Sequence, residues 1–164
     1  MKRVTTIEVH EHIGASREAI YELVTDVTRM GEWSPECFRA EWLDGTGEAA
    51  VGAHFRGWNR HGFLRWSTKP RIVTADHGRE FAFIAPDVRG RDNARWTYHF
   101  EDATPGGTDV TERFELLQDA GSLISLVYRC FMGVTDRKAD LQANMRNTLA
   151  ALKEAAESVE PRRA

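Results

Sequence analysis

The chain has 164 residues, of which 41% are hydrophobic and 29% charged, and a formal net charge of −3 at pH 7. That length suffices for one domain with a real core, and that composition excludes a disordered chain. Both signs of charge are interspersed, which implies neither a basic surface for nucleic acid nor an acidic tail.

Residues 4–13 alternate, with Ile7, Val9 and Ile13 on one face and Thr6, Glu8, His10 and His12 on the other, so a strand is predicted. Ser16 stands where it can cap a helix whose Ala19, Ile20, Leu23 and Val24 recur at helical spacing. A second short helical turn is expected over 26–30, closed by Gly31. From Cys37 the period returns to two, with strands expected over 38–43, 53–59, 63–74, 80–84, 95–101 and 110–117. Their separators, Asp44-Gly45-Thr46-Gly47, His61-Gly62, Asp76-His77-Gly78, 86–90 and Pro105-Gly106-Gly107, are turn-formers. Connections this short suit antiparallel hairpins, so the sheet reads as a meander. Residues 136–158 contain neither Gly nor Pro and align Leu141, Met145, Thr148, Leu149, Leu152 and Ala156 on one stripe of a long helix. This order predicts an α+β domain: about seven antiparallel strands curved around a long C-terminal helix, with two short helices after the first strand. A single domain over 1–160 is expected.

The apolar strand faces carry many large aromatics: Phe55, Trp66, Phe81, Phe83, Trp96, Tyr98, Phe100 and Phe114. One helix with one apolar stripe cannot cover so wide a sheet, and the remainder of the concave face is either a pocket or filled core. Three polar groups fall on these faces, where burial is costly without a partner. Glu112 lies between Val110 and Phe114, Glu11 lies between Val9 and Ile13, and Asn59 shares a face with Phe55 across Gly57. An inward Glu can act as general acid or base or bind a ligand hydroxyl; a structural ion pair with a nearby Arg or an outward-turning bulge is the alternative.

Five segments, in order and at matching spacing, resemble the START-like (SRPBCC) superfamily, in its polyketide cyclase/dehydrase-like group. They are the opening strand running into 15–26, Trp33-Ser34-Pro35-Glu36, residues 51–60, Arg65-Trp66-Ser67-Thr68, and Trp96-Thr97-Tyr98-His99-Phe100 with the later 107–112. The resemblance implies a helix-grip fold with a deep cavity between sheet and helix that accepts hydrophobic or amphipathic small molecules. It implies that Trp33 closes the cavity mouth, with Leu141, Met145 and Leu149 as the helix wall. The group includes carriers, receptors and cyclases, so the fold alone does not choose among functions.

Cys37 and Cys130 are too few and too far apart for a disulfide framework or zinc knuckle, and read as buried small apolar residues. His10 and His12 share a strand face opposite the apolar one and are expected in solvent rather than on a metal. No Gly-x-Ser-x-Gly elbow is present. The segment 122–132 is more apolar than a connector requires and reads as a lid or pocket wall, an added helix or a subunit patch, which leaves a homodimer open. The N-terminus lacks the apolar core of a signal peptide, and 123–134 is too short to span a bilayer, so the cytoplasm is expected. Three functions follow: a binder of a lipid-like or polyketide-like molecule; a cyclase/dehydratase using an inward Glu, with Glu112 the catalytic candidate; and a partner-binding regulator. None calls for a cofactor or a metal.

Overall fold

A computed structural model of the chain describes residues 6–43, 45–117 and 137–159. β1 (Thr6–Ile13) leads into α1 (Arg17–Thr25) and a 3-10 helix (Val27–Glu32). Then come β2 (Cys37–Trp42), β3 (Phe55–His61), β4 (Leu64–Thr68), β5 (Arg71–Asp76), β6 (Glu80–Pro86), β7 (Asp92–Asp102) and β8 (Thr108–Leu116). The long helix, here α2, is Arg137–Val159. Ser16 caps α1 as its position predicts: its backbone is extended and its Oγ accepts from the Ala19 N–H at 3.3 Å. Asp26 caps the 3-10 helix by accepting from the Thr28 N–H.

The strands form two antiparallel sheets, β1-β8-β7-β6-β5 and β2-β3-β4, which meet at the isolated bridge between His54 and Arg71. Every strand pairs with its chain neighbour except at two places: β1 closes on β8, and β4 does not pair with β5. The second departure corrects the strand expected over 63–74. Pro70 has no N–H to give a ladder, and its carbonyl turns aside to accept from the Phe55 N–H at 3.2 Å. Among the described residues eight strands stand, in keeping with the expected number of about seven.

The predicted stripe on α2 is buried throughout, Leu141, Met145, Thr148, Leu149, Leu152 and Ala156 included. α2 lies against β1 and α1. Its Lys153 Nζ donates to Glu11 Oε1 at 3.0 Å and to the His12 carbonyl at 2.8 Å, tying the helix to β1. The open curved sheet and long C-terminal helix make the helix-grip architecture. The segment 122–132 and Cys130 lie outside the described residues. No helix among the described residues is long and apolar enough to cross a membrane.

Candidate functional site

The register of β7 and β8 places Trp96 opposite Phe114, Tyr98 opposite Glu112 and Phe100 opposite Val110. β6 extends the same ladder, with Phe83 opposite Trp96 and Phe81 opposite Tyr98. The rings pack edge-on: Trp96 and Phe114 have centroids 5.0 Å apart, and Phe55 reaches from β3 to within 5.3 Å of Phe83. Within this aromatic face sits one carboxyl group.

Glu112 is 2% exposed, as strict alternation between Val110 and Phe114 predicts. Its Oε1 accepts from the Tyr98 hydroxyl at 2.9 Å. Its Oε2 is buried with no hydrogen-bond partner among the described residues. Burial pushes the Glu112 pKa up to about 8, and the Tyr98 hydrogen bond only partly opposes that. Burial likewise raises the Tyr98 hydroxyl well above its usual value, and the facing carboxylate adds to the shift. At neutral pH Glu112 is thus mostly a neutral acid. Because Oε1 accepts the Tyr98 hydrogen bond, the acid's own proton belongs on Oε2, a donor with no partner among the described residues.

The smaller sheet contributes Cys37, Gly57 and Asn59. Cys37 is buried; desolvation raises its thiol to about 11, and its Sγ lies 3.4 Å from the Arg39 carbonyl oxygen. It lies near enough for a thiolate there to raise Tyr98 further. A Cβ added at Gly57 would meet Cys37 Sγ at 3.3 Å and Thr68 Oγ1 at 3.8 Å, so the missing side chain keeps room beside Cys37. Asn59, half-buried, reaches only the Gly57 carbonyl at 3.5 Å, long for a hydrogen bond. Half-buried Trp66 stands opposite Asn59 in the β3–β4 register.

The remaining expected residues distribute as follows. Trp33 is buried in the core beneath the Arg29 guanidinium, 5.5 Å from its ring centroid. Leu141, Met145 and Leu149 are buried on α2. Glu11 is held in an ion pair, with Lys153 of α2 rather than with an arginine. His10 and His12 are exposed and contact Thr111 and Asp109, and no cluster suited to a metal ion occurs among the described residues. The pairing of Tyr98 with Glu112 and the approach of Cys37 were not legible in the sequence, since both depend on register between strands.

Two surface clefts flank this interior, and neither is lined by Glu112 or Tyr98. One of about 490 Å³ lies among α1, the β2–β3 connection and β5, with Tyr21, Trp42 and His77 on its walls. The other, about 240 Å³, lies between the β3–β4 turn and the start of α2, with Arg60, His61, Asp140 and Asn144 on its walls.

The family model described as polyketide cyclase/dehydrase and lipid transport matches residues 4–157. The chain matches no curated protein. Among solved structures, a protein from Chromobacterium violaceum is 16% identical with a TM-score of 0.67, covering 93% of this chain and 97% of that one. The major latex-like protein 151 of Panax ginseng is 14% identical with a TM-score of 0.67, covering 94% and 99%. A polyketide-cyclase-like protein from Corynebacterium glutamicum is 29% identical with a TM-score of 0.52, covering 96% and 88%.

Proposed function

This chain belongs to the polyketide cyclase/dehydrase and lipid transport family, within the START-like superfamily, and we propose that residues 1–160 form one domain that binds a hydrophobic or amphipathic small molecule between sheet and α2. The observation that carries this reading is the unpartnered Oε2 of Glu112, a buried hydrogen-bond donor on an otherwise aromatic face. An orphaned polar group of this kind costs stability unless something fills its need. A ligand carbonyl or ether oxygen would do so, with the ladder of Phe81, Phe83, Trp96 and Phe114 supplying apolar area. Asn59 and the space at Gly57 mark the side from which a second polar group of the ligand would be met. Titration with the neutral dye N-phenyl-1-naphthylamine tests the reading. Saturable one-to-one enhancement supports it, and Gly57→Leu, which fills the space beside Cys37, should weaken the binding.

The raised pKa of Glu112 favours a second reading, in which the same acid moves protons during cyclisation or dehydration of a polyketide-like chain. An acid with a pKa near the working pH suits that task. Glu112→Gln separates the two readings: under carriage affinity changes little, whereas under catalysis turnover is abolished while binding persists.

A further inference from the structure

Six arginines of this chain, Arg17, Arg29, Arg39, Arg71, Arg91 and Arg113, form ion pairs with carboxylates. Arg56, Arg60 and Arg65 differ. Like Arg79, Arg89, Arg95 and Arg146 they form no ion pair among the described residues, although Glu41 stands opposite Arg56 in the β2–β3 register, and unlike those four they share one face. All three project from the outer face of the small sheet, because Phe55, Gly57 and Asn59 occupy the inner one. Arg60 and Arg65 stand directly opposite each other in the β3–β4 register, a like-charge pair that costs stability. Both guanidiniums lie 5.5 Å from the centroid of one ring, that of exposed Phe38. Beside them Trp58 lies between Arg39 at 4.4 Å and Arg56 at 5.7 Å. At the tip of the same hairpin Phe63 is 86% exposed. Scattered along the sequence these residues form no basic run; the hairpin register gathers them.

We propose that this face, the outer side of β2-β3-β4 with the β3–β4 tip, docks on an anionic lipid bilayer. Phe63 enters the interfacial region, and Arg56, Arg60 and Arg65 meet lipid phosphates. The charges fit: guanidinium forks bind phosphate oxygens, and opposed arginines without acids become favourable once anions sit between them. Aromatic rings beside basic residues are the composition that settles at the membrane interface. A nucleic acid would meet the same charge, but Gly62, Phe63 and Leu64 offer no side-chain donors or acceptors for base edges. Arg60 also lines the cleft at this hairpin, where the carboxylates of Glu36 and Asp140 stand on the walls. The proposal does not depend on what occupies the interior.

Co-sedimentation of the full chain with vesicles tests it. Mixed phosphatidylcholine/phosphatidylglycerol vesicles should bind the protein, pure phosphatidylcholine vesicles should not, and binding should be lost at about 1 M salt, where the screening length falls to roughly 3 Å. The double variant Arg60→Gln/Arg65→Gln should partition about thirtyfold more weakly, since each basic residue near an anionic surface contributes about fivefold. Phe63→Ser, at an exposed tip that folding does not use, should weaken binding with the salt dependence unchanged. Arg89→Gln, on the exposed β6–β7 turn, should behave as the parent. Undiminished binding by the double variant, failure to bind the mixed vesicles, or tighter binding to polyuridylate RNA than to vesicles would overturn the proposal.

Discussion

Glu112 is flanked along β8 by Val110 and Phe114 and faced by Tyr98 and Val9 on the neighbouring strands. Its folded pKa of about 8 lies above the ordinary 4.5. Between these values the folded chain holds a proton that the unfolded chain has released, so stability falls as pH rises through the window and levels off above it. Glu112→Gln is neutral throughout. It should flatten the profile and exceed the parent by a few kcal/mol above about pH 8, as read by urea unfolding in acidic and alkaline buffer. Tyr98→Phe should cost roughly 1–3 kcal/mol by leaving Oε1 without its donor, and should push the Glu112 pKa higher still. The inward aim of Glu112 was legible in the sequence, because period two alone fixes which face a residue takes. Its partner was not. Glu11 met the same test of alternation yet ended in an ion pair, because Lys153 arrives from a helix more than a hundred residues downstream.

At the scale of elements, periodicity served best where it was longest. The α2 stripe and the first strand read directly, and Leu149→Ala should cost about 2–5 kcal/mol because its side chain is fully enclosed. The run over 63–74 misled because its hydropathy alternates straight through Lys69-Pro70, while the break is made by a missing N–H that hydropathy does not register. The division into two sheets follows from that break and from the single His54–Arg71 bridge, and nothing in the spacing announces it. The 3-10 helix runs through Gly31 to Glu32 rather than closing at Gly31, and it packs on β2 there, where an added Cβ would fall on the Phe38 carbonyl oxygen. Gly31→Ala should therefore cost about 1–3 kcal/mol, seen as a shifted urea midpoint, although it reads in sequence as a mere helix stop.

For the whole molecule, composition and family bound the function and the interior refines it. A wide aromatic face served by one helix needs either a filled core or a guest, and under the proposed function the donor on Glu112 would give that guest a polar anchor. The outer face of β2-β3-β4 adds a second surface that net charge conceals, since the strand register gathers Arg56, Arg60 and Arg65 on one side. The most direct test of the ligand-binding interior is native mass spectrometry of the purified chain, before and after incubation with N-phenyl-1-naphthylamine. The expected result is the protein with one small organic molecule bound, released on denaturation. The protein mass alone in both samples would contradict it.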